Sequence, residues 1–356
     1  MKIAHIFLQH FRNFAEYETK LNNVTLLVGG NGAGKTSLVE AAYLLSHGES
    51  FRAEKIDEMI AFGEPLARVT VRLGDGESTD ILEMTLTRGV VQGKRSPKRL
   101  YAINGARKRR QNFVGRFLAV VFQPEDMRLI EGSPSRRRSF VDDVLKLTEP
   151  SYFQSLRTYE QALKRINKFL ELVREKKQPR SVLTYWELLM VKHGQFLQEK
   201  RQEFFHFLHT TGGPFAFDVR YQLSEISPAV LDSHRERAIA AGHMLIGPHK
   251  DDFVVFFTEK NLEDRDLSAY GSRGQQRLGV LWLKMGELQF LEHKRDQQPL
   301  LLLDDIFSEL DERSESMVLE LIGKYQTVLT TASSATKQFL AKKLKNLSIV
   351  RMERGG

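Results

Sequence analysis

Gly29-Gly30-Asn31-Gly32-Ala33-Gly34-Lys35-Thr36 fits the phosphate-loop pattern G-x-x-x-x-G-K-[ST], and its flanks decide how it reads. Before it, Val24-Thr25-Leu26-Leu27-Val28 is an apolar run of strand length. After it, Ser37-Leu38-Val39-Glu40-Ala41-Ala42-Tyr43-Leu44-Leu45 places apolar residues at helical spacing. Strand, glycine loop, helix is the order that phosphate binding needs. Glycines let successive backbone N–H groups turn inward around a β-phosphate, and the helix N-terminus adds partial positive charge. Gly29, Asn31, Gly32, Ala33, Gly34 and Ser37 are then expected around the nucleotide. Lys35 reaches the β- and γ-oxygens, and the Thr36 hydroxyl meets Mg2+. A plain glycine-rich turn accounts for neither Lys35 nor its place at a helix start.

A second stretch completes the chemistry. Pro299-Leu300-Leu301-Leu302-Leu303-Asp304-Asp305 is an apolar strand closing on two carboxylates. Charges at the end of a strand buried on both faces are costly unless they serve a metal or a water. Asp304 is expected to hold Mg2+ opposite Thr36, and Asp305 to orient or deprotonate the attacking water. Gln123 ends another apolar run, Leu118-Ala119-Val120-Val121-Phe122, and is a further candidate ligand for metal or water. Tyr270-Gly271-Ser272-Arg273-Gly274-Gln275 opens a helical run from Leu278 to Leu291, so Ser272, Arg273, Gly274 and Gln275 form a second anion-binding helix start. Two such starts imply either two ligands or one ligand shared between two copies. A GTPase is disfavoured, because the nearest match to its guanine-reading Asn-Lys-x-Asp, Asn167-Lys168-Phe169-Leu170, lacks the carboxylate.

Composition narrows the partners. The chain has 356 residues, no cysteine and a net charge of +8. Disulfides, thiolate zinc sites and a cysteine nucleophile are excluded, in keeping with a cytoplasmic location. The apolar part of Met1–Leu8 is too short for a leader, and no run reaches membrane-spanning length, so neither feature is expected. Between Thr87 and Arg116 stand ten Lys/Arg and no acidic residue, which exceeds the whole chain's excess charge. Such a face fits a polyanion, most naturally DNA, with Arg107, Lys108, Arg109 and Arg110 at its centre.

Read in order, residues Lys2–Leu8 and Asn23–Val28 suggest two strands with Arg12 and Asn13 in the turn between them. Alternating patterns at Ala67–Leu73 and Ile81–Thr87, around a Gly-Asp-Gly turn, suggest an antiparallel meander, with a further hairpin turn at Ile103-Asn104-Gly105-Ala106. From about Ser151 the pattern becomes helical. Tyr152, Leu156, Tyr159, Leu163, Ile166, Leu170 and Val173 form one stripe, and Leu183, Trp186, Leu189, His193, Phe196 and Leu197 a second, giving a helical hairpin about 151–209 with arms of about 40 Å. His206 and His209 lack a third ligand. After Gly212-Gly213-Pro214 strands return at Phe215–Tyr221 and Phe253–Phe257, separated by a helix near Leu231–Ala241 and the polar block Gly247-Pro248-His249-Lys250-Asp251-Asp252.

Taken together these blocks resemble the ABC-type ATPase heads of the chromosome-maintenance and double-strand-break-repair class, and within it the RecF family of bacterial recombination mediators. Phe11-Arg12-Asn13, the phosphate loop, Ser50-Phe51-Arg52, Gln123-Pro124, Ser133-Pro134-Ser135, Gly247–Asp252, Gly271–Gln275, Leu303-Asp304-Asp305 and Ser308-Glu309-Leu310-Asp311 are similar to that family's motifs and fall in the same order. The resemblance implies an α/β fold: a P-loop ABC-type head with a mixed sheet and antiparallel meander, plus an inserted helical subdomain. It places the head at 1–125 and 240–356 and a mainly helical lobe at 126–239. It adds Arg12 and Asn13 to the nucleotide-contacting residues and implies that ATP with Mg2+ is sandwiched between two copies, the loop of one facing Ser272 of the other. It further implies an ATP-dependent homodimer, gapped or single-strand/double-strand junction DNA, RecO and RecR as partners, a link to RecA loading, and slow hydrolysis that releases DNA. Three departures from general ABC heads stand out: Asp305 where many have Glu, Arg273 in place of the first signature glycine, and Thr330-Thr331 where transporters often carry His. A transporter subunit would not need the basic face, and a nuclease-associated ATPase would need a carboxylate cluster that the chain lacks. A DNA-binding scaffold with a vestigial ATPase is separated by DNA-stimulated hydrolysis.

Overall fold

The computed structural model describes residues 2–74, 79–211, 217–257 and 264–353. Two compact units emerge, one formed by Met1–Asp126 with Leu291–Gly356, the other by Met127–Phe290.

Among the described residues the first unit contains two large sheets and a two-stranded ribbon of Val90–Val91 and Lys94–Arg95. Five short apolar runs, far apart in sequence, form a wholly parallel sheet in the order Ala119–Phe122, Leu300–Asp304, Thr327–Thr331, Val24–Val28, Leu347–Arg351. All five residues of Leu300–Asp304 and of Thr327–Thr331 are buried, which is why these runs lack alternation. The other sheet has six antiparallel strands in the order Phe14–Lys20, Ile3–Phe11, Leu66–Leu73, Asp80–Thr87, Arg99–Ile103, Ala106–Lys108. The helix Lys35–His47 has every residue buried except Thr36. It shares one core with Ile6, Val69 and Met84 of the antiparallel sheet and with Leu27, Val121 and Leu302 of the parallel sheet. A helix apolar all round is stable only when so enclosed. The enclosure fixes the loop that precedes it.

Residues 2–28 form three strands and not two. The segment expected as a turn lies inside a tight hairpin joining Ile3–Phe11 to Phe14–Lys20 through Arg12 and Asn13, with Phe11 opposite Phe14. The turn falls at Arg12 and Asn13 as expected, with Arg12 at φ of 57°, and the unexpected element is the strand Phe14–Lys20 that follows it. At the Asn104-Gly105 turn both residues have positive φ, 51° and 75°, as a two-residue hairpin of the I′ kind requires. The Gly74-Asp75-Gly76 turn falls partly outside the described residues.

The second unit is built on the antiparallel helices Pro150–Arg174 and Thr184–Thr211, with Pro134–Thr148, Pro228–Ala241 and a three-stranded sheet of Phe217–Gln222, Asp252–Phe257 and Arg265–Asp266. The expected strand start at Phe215 and Ala216 and the break at 212–214 lie outside the described residues. In the first arm the stripe Tyr152, Leu156, Tyr159, Ile166, Leu170 and Val173 is buried, with Ala162 in place of Leu163. The second arm differs from expectation: its buried face is Met190, Gly194, Leu197, Gln198, Arg201, Phe204, Phe205 and Leu208, while Trp186, Leu189, His193 and Phe196 are half-buried. Polar residues on the core face had masked the stripe. Arg201, 3% exposed, donates to Asp142 and Asp251 at 2.9 Å each and to the Pro248 carbonyl at 2.8 Å. Asp251 also accepts from Gln198 Nε2, the Tyr221 hydroxyl and the Ser224 amide. The block Gly247–Asp252 is thus an internal brace. His249 takes a hydrogen bond from Tyr159, and burial pushes its pKa down to about 4.

Candidate nucleotide-binding site

Parallel register brings the site together at one edge of the five-stranded sheet. Phe122 pairs with Leu303, Asp304 with Thr330, and Thr331 with Val28, so Gln123, Asp304, Thr330 and Gly29 emerge side by side at the strands' carboxyl ends. That edge is where open α/β sheets take ligands.

The loop is shaped by close approach. A side chain at Gly34 would strike the Phe14 ring at 2.2 Å, and its φ is 94°. A Cβ at Gly29 would meet the Met352 carbonyl at 2.4 Å. The first helical amide to bond back into the loop is that of Leu38, to Gly34 O at 3.0 Å, leaving the preceding amides as the orphan donors of a helix start. Lys35 is 8% exposed, and its ammonium donates to the carbonyls of Gly29 at 2.8 Å and Gly30 at 3.0 Å. The cation is thereby held over its own loop.

Thr36 Oγ1 lies 3.1 Å from Asp304 Oδ1, although 268 residues separate them in sequence. The same oxygen accepts from Thr330 Oγ1 at 2.7 Å, and Thr330 Oγ1 in turn accepts from the Asp305 amide at 3.0 Å. One threonine hydroxyl therefore fixes both carboxylate residues. Burial raises the pKa of Asp304, partly offset by the hydroxyls of Thr330 and Thr36. Burial also raises that of Asp305, opposed by the nearby charge of Lys35. Asp305 has φ of 53°, a conformation that aspartate tolerates better than most residues.

Arg12, Asn13, Asn31, Gly32 and Gly34 line a cavity of about 550 Å3 together with Lys35, Thr36 and Ser37 on the loop side. Asp304, Asp305 and Thr330 close it on the other, and Arg52, Glu58, Ile60 and Phe62 complete the wall. Gly29 and Ala33 are not among the lining residues. Gln123 is beside Asp304 in the sheet but outside the lining, with its amide on Asp126 Oδ2 at 3.0 Å. Asn13 Oδ1 accepts from the Ser37 hydroxyl at 3.2 Å.

Arg12 is held by a group that sequence reasoning passed over. Glu40, fully buried in the loop helix, takes two hydrogen bonds from the Arg12 guanidinium, at 2.6 and 2.8 Å, and one from the Ser50 hydroxyl at 2.5 Å. Ser50 Oγ also accepts the amides of Arg52 and Ala53, which sets the path of the Ser50-Phe51-Arg52 segment. The signal was a lone carboxylate inside the apolar run after the loop. Phe62 was likewise not anticipated as a wall residue, whereas Thr330 belongs to the Thr330-Thr331 pair singled out in the sequence.

Ser272 lies in the second unit, at the start of the helix Arg273–Arg295. Its amide donates to Gln275 Oε1 at 2.8 Å and its hydroxyl accepts the Gln275 amide at 3.3 Å, a reciprocal capping box. Ser272 and Arg273 are exposed, Gly274 and Gln275 half-buried. Among the basic residues, Arg107 and Lys108 lie on the edge strand Ala106–Lys108, all exposed, and Arg109 follows, also exposed. Arg110 differs: its guanidinium caps the loop helix at the His47 carbonyl, 2.9 Å away, and faces Glu49 at 3.6 Å. Among the described residues no helix is long and apolar enough to cross a membrane.

Strand, glycine loop, enclosed helix and a neighbouring strand ending in two carboxylates define an ABC-type, SMC-like ATPase head. In agreement, residues 2–356 match the family model described as RecF/RecN/SMC N terminal domain. The chain is 31% identical over 358 residues to the DNA replication and repair protein RecF of Bacillus cytotoxicus, covering 94% of this chain and 92% of that one, and it belongs to the RecF family. Two solved structures, of the recombination mediator protein RecF-ATPrS and of RecF-ATP in the RecFOR pathway, superpose with TM-scores of 0.86 and 0.84 at 25% and 24% identity, each covering 99% of this chain and 96% of that one.

Proposed function

We propose that the chain is an ATP-dependent DNA-binding recombination mediator with a slow, DNA-stimulated ATPase. The observation that carries this reading is the convergence of Lys35, Thr36, Asp304 and Asp305 from opposite ends of the chain. Lys35 and the loop amides hold the triphosphate. Thr36 and Asp304, with Gln123 nearby, supply oxygen donors that suit Mg2+, a hard cation that usually takes one or two protein oxygens with phosphate and water. When bound, Mg2+ neutralises charge on the phosphate oxygens. Asp305 accepts the proton of the attacking water, its raised pKa making it a better base than an exposed carboxylate.

Ser272, Arg273, Gly274 and Gln275 of a second copy close over the nucleotide, so ATP drives homodimerisation. In this division of labour the functional head comprises 1–125 and 240–356, drawing its signature segment from the compact unit Met127–Phe290, and the helical lobe 126–239. Arg107, Lys108 and Arg109 meet the DNA backbone, while Arg110 supports them from within the fold. The preferred DNA is gapped, with a single-strand/double-strand junction. RecO and RecR are the partners, RecA loading in cytoplasmic DNA repair is the outcome, and hydrolysis ends the DNA-bound state. The names of the RecF relatives and of the RecFOR structures support this assignment.

The test is ATP binding and hydrolysis with and without gapped DNA. Lys35→Ala should abolish binding, and Asp305→Asn should bind ATP but turn over at least about 100-fold more slowly. Wild-type turnover by Asp305→Asn would show that another group is the base.

A further inference from the structure

Phe62 is fully exposed, at 104% of its reference area, more than any other large apolar side chain among the described residues. It nevertheless lines the nucleotide cavity, and so stands at its rim. Ile60 and Phe62 are the two apolar side chains in a lining otherwise made of glycine, polar and charged residues. The phosphate-directed groups come from the loop and from the strand end at Asp304; the apolar corner comes from a separate segment, 58–62.

That segment is rigidly held. Ala61 donates its amide to His10 O at 2.8 Å, Ile60 bridges to Phe11, and the Glu64 amide closes a four-residue turn on Ala61 O at 3.1 Å. Gly63, with φ of 84°, takes the left-handed position that lets the turn close behind Phe62. Arg88 spans the turn, donating to Glu64 O at 2.9 Å and to Ala61 O at 3.4 Å. An aromatic ring on a clamped turn, without apolar cover, is preorganised to accept a flat partner at little entropic cost.

We propose that Phe62 is the base-stacking residue of the site, packing its ring on the nucleobase while the loop holds the phosphates. This rests on the ATP reading above and extends it to the other end of the ligand. A phenyl ring offers no hydrogen-bond edge, so Phe62 contributes affinity for a base without choosing between adenine and guanine.

Binding of ATP, GTP and inorganic tripolyphosphate, each with Mg2+, to wild type, Phe62→Ala and Phe62→Trp tests this by calorimetry and fluorescence. Phe62→Ala should weaken ATP and GTP alike by about 10-fold or more while leaving tripolyphosphate unchanged. Phe62→Trp should keep ATP affinity, with indole emission quenched by ATP and not by tripolyphosphate. Equal losses for all three ligands, or no loss for any, would overturn the proposal while leaving the nucleotide site intact. So would a Phe62→Ala protein that binds ATP normally and loses only ATP-dependent self-association. Failure of wild type to bind ATP would instead overturn the underlying reading and the proposal with it.

Discussion

Glu40→Gln should loosen the loop helix without touching the phosphate loop itself. Glu40 is fully buried and faces a guanidinium only 17% exposed, through bonds of 2.6 and 2.8 Å. Neutralising it leaves Arg12 without its counter-charge and with one side-chain acceptor oxygen in place of two, beside the Glu58 carbonyl that it keeps at 2.6 Å. Removing one member of a buried pair costs about 3 to 5 kcal/mol, and the retained amide oxygen places this change near 3. Both tryptophans, Trp186 and Trp282, lie in the second unit, so their fluorescence would report the wrong part of the chain. Native-state amide exchange over Lys35–His47 reads the right one. A 3 kcal/mol loss corresponds to exchange faster by about 150-fold there, with Pro150–Arg174 unchanged as control. The double variant Arg12→Met/Glu40→Met should cost at least about 2 kcal/mol less than the sum of the two single methionine variants, because it leaves neither charge stranded. Costs that add to within about 0.5 kcal/mol would refute the coupling.

Asp304→Asn should lower Mg2+-dependent nucleotide affinity yet raise thermal stability. Burial raises the Asp304 pKa, so the folded state holds its proton more tightly than the unfolded chain. Stability from this group is therefore present below the ordinary carboxylate range and is lost as pH rises through the raised folded value. At neutral pH the ionised group is a cost that asparagine removes while still accepting from Thr36 and Thr330; a melting temperature lower than wild type at pH 7 would contradict this. Replacing Arg107, Lys108 and Arg109 with serine should weaken DNA binding and reduce the slope of log K against log salt by about 2 to 3, an unchanged slope meaning that this edge strand does not meet DNA.

What could be read in advance was local chemistry. The loop, the acidic strand end and the first helical stripe each carry their signal within one contiguous stretch. Long-range facts carried none: that Thr327–Thr331 lies between Leu300–Asp304 and Val24–Val28, and that Thr330 therefore orders both Asp304 and Asp305, depends on pairings more than 20 residues apart. Polar residues facing inward misled in the same way. Glu40 looked like an ordinary helix residue, and Gln198 and Arg201 displaced the apparent stripe of the second arm because their charge and hydrogen-bonding capacity are satisfied by Asp142 and Asp251, distant in sequence. The strand Phe14–Lys20 was hidden because it lies at the edge of its sheet and only Phe14 of its residues is buried, which leaves little apolar alternation to read.

That a second copy completes the nucleotide site is tested most directly by sedimentation with and without ATP and Mg2+. Ser272→Asp suits the purpose, since aspartate still caps the helix Arg273–Arg295 while opposing the phosphates. Wild type should shift towards dimer with ATP, and Ser272→Asp should bind ATP with near wild-type affinity and stay monomeric. A Ser272→Asp protein that dimerises with ATP as wild type does would contradict the shared site.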